Sequence, residues 1–177
     1  TSILAPASRT VPVNGLLFFE DTVWVNGTIE DRVTVAAGRE PYSSDPNTNV
    51  DIIINGAITY NNVLDGSRAF AAIAQGNILI PYLALDVLRL DGAYVAQYGR
   101  FGRRYYTSGS SNLRTSITRF GMVASNLVPV TSWSDGFSVV SGYINSFSTY
   151  DPNLLYAPPP FFPTSGQYQI LSWRKTM

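Results

Sequence analysis

The strongest constraint on the fold of this chain is an alternation of apolar residues with a period of two. The alternation is clearest in five short segments, at residues 23–25, 33–35, 52–54, 78–80 and 88–90. A period of two places alternate side chains on opposite faces of a β-strand, which Val, Ile, Tyr, Phe and Thr suit well. The best helical segment, 81–90, is short and begins at a proline. The pattern therefore predicts an all-β protein.

A motif of apolar, any, apolar, Asn or Asp, and Gly occurs three times. Its copies are VWVNGTI at 23–29, IIINGAI at 52–58 and LRLDGAY at 88–94. Each copy is followed by a segment with alanines that ends near a glycine, at 33–38, 72–76 and 94–99. Repeats of this kind stack equivalent residues, so we expect a parallel β-solenoid with insertions at 39–50 and 61–68. Asn-Gly and Asp-Gly are also typical of hairpin turns, which makes an antiparallel β-sandwich the alternative.

The 177 residues have the usual size of a single domain, which we expect to span residues 1–177. The repeat region occupies 15–106, and further strands are predicted in 107–149, at 116–125 and 137–148. A Pro-rich segment follows at 150–177. Because an open solenoid end exposes strand edges, we expect this segment to be a C-terminal cap, with a closing strand at Tyr168–Trp173.

The chain contains neither His nor Cys. This composition excludes thiol nucleophiles, disulfides and the usual zinc sites, and it removes the commonest general base. The only lysine, Lys175, is two positions before the last residue, and Thr1 would need its own amine as the base. The adjacent acids Glu20-Asp21 and Glu30-Asp31 point to opposite faces of a strand, so neither pair converges on a substrate. We therefore expect a protein that is not an enzyme.

One segment has the spacing of a calcium loop. Oxygen-bearing side chains stand at alternate positions, Asp45, Asn47, Asn49 and Asp51. Calcium takes such oxygen ligands in a flexible shell, but the glycine and the terminal bidentate acid of a complete loop are missing. Asn and Asp also build turns by themselves, so a plain turn is the alternative. Calcium is the only cofactor that the sequence suggests.

A second segment combines cations with aromatic rings. The predicted interaction patch consists of Arg100, Phe101, Arg103, Arg104, Tyr105 and Tyr106. Residues 92–134 carry five arginines and no acid, whereas residues 1–91 carry ten acids and five arginines. This asymmetry favours a subunit contact or packing between the two parts of the chain. No nucleic-acid partner is expected, because the net charge is zero and no nucleic-acid-binding motif surrounds the patch.

Two parts of the sequence resemble a known family. Residues 150–163 (YDPNLLYAPPPFFP) with 170–174 (ILSWR), and residues 73–81 (IAQGNILIP) with 96–102 (AQYGRFG), are similar to PilX-like pilus-assembly proteins. These bacterial surface proteins carry an N-terminal pilin-like membrane anchor and a repetitive extracellular β domain. The resemblance covers roughly residues 15–174, without the hydrophobic prepilin segment. It implies a surface role and supplies no catalytic residues.

These observations lead to three functional hypotheses. The first is a non-catalytic, extracellular structural protein of a bacterial pilus, filament or cell-surface assembly, which acts by self-association or display. Its partners would be other copies of the chain or other pilus subunits. The alternative is a carbohydrate-binding or adhesive module that uses exposed Tyr and Trp, and the third is a polysaccharide-active β-helix enzyme. No membrane span is expected, because no apolar run is long enough.

Overall fold

A computed structural model describes residues 10–40, 45–61 and 64–163, and these residues form an all-β protein. Eleven strands, one short helix and a 3-10 turn at Pro46–Thr48 follow one another along the chain. They are β1 (Leu16–Phe19), β2 (Val23–Thr28), β3 (Arg32–Ala37), β4 (Ile52–Thr59), β5 (Ala69–Ala74), β6 (Ile78–Ile80), β7 (Val87–Ala96), β8 (Phe101–Arg103), β9 (Leu113–Ser125), β10 (Ser132–Ser134), β11 (Val139–Thr149) and α1 (Asn153–Tyr156). The predicted all-β class is confirmed, and the segments 116–125 and 137–148 coincide with β9 and β11.

The strands pair in parallel, except for β10 with β11, and the pairs fall into three columns. The first column contains β1, β3, β5 and the C-terminal parts of β7 and β9. The second contains the N-terminal parts of β2 and β4, followed by β6 and β8. The third contains the ends of β2 and β4, the N-terminal parts of β7 and β9, and β11.

The chain passes through the three columns in the same order several times, and we call each passage a layer. The five layers are residues 16–28, 32–59, 69–91, 93–120 and 122–149. Each column pairs the residues of one layer with those of the next, so equivalent residues stack. The predicted insertions at 39–50 and 61–68 fall in the connections from β3 to β4 and from β4 to β5.

The core consists of stacked inward side chains from successive layers. Val35, Ala72 and Tyr94 are paired in register, as the alanine-containing segments of the sequence predict. The Tyr94 ring lies 6.0 Å from the ring of Phe70 and 5.5 Å from that of Phe101. Because each large apolar side chain contributes about 1.5–3 kcal/mol when it is fully buried, this interior supplies most of the driving force for stacking.

The Asn-Gly and Asp-Gly pairs lie inside strands and not in hairpin turns. Gly27 lies in β2, Gly56 in β4 and Gly92 in β7, and the neighbours of these strands are parallel. Gly27 has a φ of +133° and Gly92 a φ of +123°, values that glycine tolerates, and the chain changes column at both positions. The hairpin interpretation of these motifs, and with it the antiparallel sandwich for these segments, is wrong.

The three copies of the glycine motif are not equivalent in the structure. Ile52, from the second copy, pairs with Val23 of the first copy in the second column. Leu90, from the third copy, pairs with Ile58 in the third column. The third copy therefore bends the chain at a different corner, although its sequence resembles the other two.

After β11 the chain returns along the outside of the first column, and we call residues 150–163 the strap. Leu154 of the strap packs on Ala71 and Ala93, which are outward neighbours in successive layers. Further on, the carbonyl oxygen of Pro160 accepts a hydrogen bond from the hydroxyl of Thr34. The strap therefore covers one side of the stack, and the prediction that it caps the end is wrong for these residues. The rest of the predicted cap, including Tyr168–Trp173, lies outside the described residues.

An arginine anchors the far end of the strap. The guanidinium of Arg32 donates hydrogen bonds to the carbonyl oxygens of Pro158, at 2.5 Å, and Gly66, at 3.0 Å. In the other direction, the side-chain amide of Asn153 donates to the carbonyl oxygen of Leu64 at 3.1 Å. These bonds satisfy carbonyl groups in segments without ladder partners of their own. None of the helices in the described part of the chain is both long and apolar enough to cross a membrane.

Candidate functional site

The predicted calcium residues are directed at separate partners. Asp45 precedes the 3-10 turn, and its Oδ1 accepts hydrogen bonds from the backbone N–H and the side-chain amide of Asn47, both at 2.9 Å. Asp51 Oδ1 accepts from the backbone N–H of Asn77 at 2.6 Å and from its side-chain amide at 3.1 Å. The side-chain oxygen of Asn49 is buried and has no hydrogen-bond partner. The described residues contain no group of three or more acidic side chains that could hold a metal, so calcium binding here stays a prediction.

The Asp51 contact belongs to a polar ladder that joins successive layers. Asn77 donates two hydrogen bonds to Asp51. The side-chain Oδ1 of Asn77 accepts a third, from the backbone N–H of Arg100 at 3.0 Å. Asp51, Asn77 and Arg100 each precede a strand of the second column. The side chains of Asp51 and Asn77 thus connect successive layers at one corner of the stack.

The predicted interaction patch is divided between the interior and the surface. Phe101 and Arg103 are inward members of β8 and are buried, with Arg103 only 1% exposed. Their interior position follows from the register, since Phe101 pairs with Ile78 and Arg103 with Ile80. These two residues lie in the interior and do not belong to the exposed part of the patch, so their contacts are packing contacts, and an interaction role of the patch stays a prediction.

Arg103 acts as a buried cross-link between loops. Its guanidinium donates to the carbonyl oxygens of Tyr82 at 2.9 Å, Ser111 at 2.5 Å and Asn112 at 2.9 Å. The ring of Tyr106 covers it, with the guanidinium carbon 4.7 Å from the ring centroid. Burial lowers the pKa of Arg103. Carbonyl dipoles and an aromatic face thus replace the water that a surface arginine would have.

The remaining patch residues stay near the surface. Arg104 is exposed, Tyr105 is half exposed, and the ring of Tyr105 meets Trp133 edge to face at 5.8 Å. Arg100 is partly buried, and its backbone N–H belongs to the polar ladder. The exposed part of the predicted patch therefore consists mainly of Arg104 and Tyr105, and Trp133 lies beside Tyr105.

Among the acids, Asp91 is the one most withdrawn from solvent, but both of its oxygens are occupied. Its Oδ1 accepts from Arg89 Nε at 2.9 Å, and its Oδ2 accepts from the backbone N–H of Tyr60 at 3.0 Å. Burial raises the pKa of Tyr60, whose hydroxyl oxygen accepts the N–H of Phe70. This set connects two layers, with Asp91 in the interior and the Arg89 side chain partly exposed.

The feature that sequence reasoning missed is the open edge of β11. From residue 144 to 149 this strand pairs with β9 on one side, and no described strand pairs with its other side. All six residues are exposed, including Ile144 at 54% and Phe147 at 57%. The period of two predicts a strand here, but only the pairing shows that it is the last one of its column.

The opposite end of the stack is also open among the described residues. There β1 pairs only with β3, and β2 only with β4. Residues 10–31, which form this end, carry four acids and no base: Glu20, Asp21, Glu30 and Asp31. The five arginines of residues 92–134 all lie in layer 4, next to the last layer, and the only charged residue of layer 5 is Asp135. The charge is therefore unevenly distributed along the stack.

Comparison with known proteins adds no relative to these observations. No protein-family model, no curated protein and no solved structure matches the chain. The class that the structure defines is an all-β protein with a large, mostly parallel sheet. The resemblance to PilX-like proteins stays a prediction.

Proposed function

We propose that the protein is a short, three-sided parallel β-solenoid that works as a structural component and self-associates end to end through its open strand edges. The observation that carries this proposal is the exposed, unpaired edge of β11 at residues 144–149. Such an edge presents N–H and C=O groups that another strand can pair with. The protein has no catalytic role in this proposal.

The order of the columns supports the solenoid. The chain runs through the first, second and third columns in the same order in successive layers, and the layers stack in parallel. A solenoid is the simplest architecture with this property, because each turn of the coil contributes one strand to each side. A further turn, supplied by a second copy, would continue the same columns.

The uneven distribution of charge along the stack supports a head-to-tail arrangement. Four acids lie at the β1 and β2 end, where Arg39 pairs with Asp21 at 3.7 Å, and five arginines lie in layer 4, next to the last layer. A heterologous contact between unlike ends propagates into a filament when it does not close into a ring. Placement outside a bacterial cell, and a pilus or other surface filament as the assembly, rest on the sequence resemblance alone.

Association can be tested by light-scattering mass and negative-stain imaging over a series of protein concentrations. The first variant is Phe147→Lys, which adds a charge to the open edge, a device that natural sheets use to prevent pairing. Phe137→Lys is the matched control, because Phe137 is 99% exposed but lies in the loop before β11. We expect concentration-dependent polymers, and a dissociation constant at least about tenfold higher for Phe147→Lys only.

Two results would contradict the proposal. One is a wild-type protein that stays monomeric at every concentration. The other is an equal effect of the two lysine substitutions, since this would place the contact away from the β11 edge. The dependence of association on salt is an independent test. At 1 M ionic strength the screening length falls to about 3 Å, so association that depends on charge should weaken.

The second candidate function, carbohydrate binding, is favoured by one surface feature. Tyr105 and Trp133 form an edge-to-face pair, and Arg104 next to Tyr105 is exposed. Aromatic side chains with a polar tip suit such partly wet contacts. A glycan array compared between the wild type and Tyr105→Ala tests this function. Equal signals from the two proteins, or none above background, would remove it.

A further inference from the structure

A second arginine lies on the interior side of a strand, near the β11 end. The third column pairs one residue from each layer into a single file, which consists of Gly27, Ile58, Leu90, Arg119 and Ser148. Arg119 is thus the charged member of a file that is otherwise apolar or small. Its guanidinium carbon lies 6.0 Å from the centroid of the Phe101 ring.

The guanidinium of Arg119 has little compensation for its charge. Its Nη2 donates to the hydroxyl of Ser146 at 2.9 Å, whereas its Nε is buried without a partner. No acid of the described residues forms an ion pair with it. Burial lowers the pKa of Arg119. A partly buried cation without a counter-charge favours an anion that can reach it, because the anion restores part of the lost hydration.

Arg103 is an interior arginine whose buried charge is compensated by the protein itself. The Nη atoms of Arg103 make three hydrogen bonds to backbone carbonyl oxygens, although its Nε is also unpaired. Arg119 has a single bond to a serine hydroxyl in the corresponding place. Arg103 thus uses its Nη donors in the fold, whereas Arg119 has N–H donors that are available to a ligand.

Arg119 borders a cavity at the corner between the third and first columns. The cavity is half open to the solvent and has a volume of about 160 Å³, and Gly92, Gly121 and Ser148 line it together with Tyr94, Met122 and Val123. This is enough space for at least one water or a small carboxylate. Gly92, Gly121 and Ser148 form the side without large side chains, whereas Tyr94, Met122 and Val123 form the rest of the wall.

We propose that the cavity beside Arg119 binds a carboxylate, carried by a small acid or by one acidic arm of a larger molecule. The guanidinium offers a fork of N–H donors that matches the two oxygens of a carboxylate. Glycine and serine walls leave space for the carboxyl group and a few further atoms. The site shares Ser146 and Ser148 with the open edge of β11, so end-to-end association would partly cover it, but carboxylate binding does not require self-association.

Paired probes of equal shape test the site. Acetate and neutral acetamide, then glucuronate and neutral glucose, are titrated at constant ionic strength while NMR follows the amides of Gly92, Gly121 and Ser148. We expect saturable shifts with the two acids, and shifts at least about tenfold weaker or absent with the neutral partners. Equal shifts from acetate and acetamide would overturn the proposal, and so would equal shifts from acetate and chloride.

Variants connect the signal to the arginine. Arg119→Lys keeps the charge but loses the fork, so we expect at least about tenfold weaker acetate binding, whereas Arg104→Lys on the surface changes nothing. Ser148→Leu fills the cavity from an exposed position, retains Arg119, and should abolish the shifts even if an Arg119 variant does not fold. Undiminished binding by a folded Ser148→Leu protein would exclude this cavity as the site.

Discussion

Gly121 lies beside Gly92 in the pairing of β9 with β7, so closely that a Cβ atom on Gly121 would overlap the carbonyl oxygen of Gly92. Both glycines have positive φ, at +139° and +123°, and both stand where the chain turns from the third column into the first. The corner therefore depends on two stacked residues without side chains.

Replacement of Gly121 by alanine is predicted to lower the free energy of unfolding by about 2–5 kcal/mol, from backbone strain and overpacking together. Gly27→Ala is the matched control, because Gly27 has a similar φ of +133° and open space around its Cβ position. Its cost should be limited to the strain, about 1–3 kcal/mol. Chemical denaturation measures both, and equal losses would show that the close approach to Gly92 has no energetic effect.

Substitution of Arg103 should affect stability more than binding. Arg103→Leu leaves three carbonyl oxygens without their donor, so we expect a loss of about 3 kcal/mol or more in the free energy of unfolding. Arg104→Leu, at the adjacent exposed position, should change stability by less than about 0.5 kcal/mol. Urea unfolding with unchanged m-values checks this, and a small effect of Arg103→Leu would contradict the cross-linking role.

Alkaline pH should destabilise the protein through its buried tyrosines. Burial raises the pKa of Tyr143 to about 12, and the hydroxyl donates to the carbonyl oxygen of Leu85 at 2.9 Å. An unfolded tyrosine has a pKa of about 10. The stabilisation is thus complete below about pH 10 and is lost as the pH rises toward 12, at about 1.4 kcal/mol per pH unit for this group.

The variant Tyr143→Phe removes one titrating proton and should make this dependence on pH less steep. Tyr156→Phe, at a position that is 85% exposed, should leave the slope unchanged. Denaturation at several pH values between about 9 and 11, combined with tyrosinate absorbance, measures the slope. Identical slopes for wild type and Tyr143→Phe would show that Tyr143 ionises equally easily in both states.

The strap offers a pair of adjacent leucines for comparison. Leu154 is 7% exposed and packs on Ala71 and Ala93, whereas Leu155 is 40% exposed. We expect Leu154→Ala to cost about 2–4 kcal/mol and Leu155→Ala less than about 1 kcal/mol. Faster proteolysis within residues 150–163 of Leu154→Ala would accompany the loss. Similar stability of the two variants would mean that the strap contributes little.

Local pattern predicted the strands well, because alternation is a property of neighbouring residues. The alternation of Ile52 and Ile54 predicts β4 even when the strands that pair with it are not known. Stacking of Val35 on Ala72 and Tyr94 was also predictable, since similar segments repeat. The glycine motif misled at its third copy, where the same local bend serves a different corner of the stack.

The site could not be predicted equally well, because it depends on register between distant residues. Arginine is usually found at the surface, and only the pairing of Arg103 with Ile80 shows that this one lies in the interior. The open edge of β11 depends on which strand comes last in the column, and the strap on contacts between residues 126 positions apart. No window of neighbouring residues contains this information.

The strap changes how the stack should unfold. A linear array in which each layer contacts only its neighbours loses its terminal layers first and independently. Here the segment that leaves layer 5 is bound to Arg32 and Thr34, at the beginning of layer 2, and it covers the layers between. Loss of layer 5 would therefore also remove contacts of layer 2, and we expect unfolding of the layers that the strap contacts to be more cooperative than in a linear array.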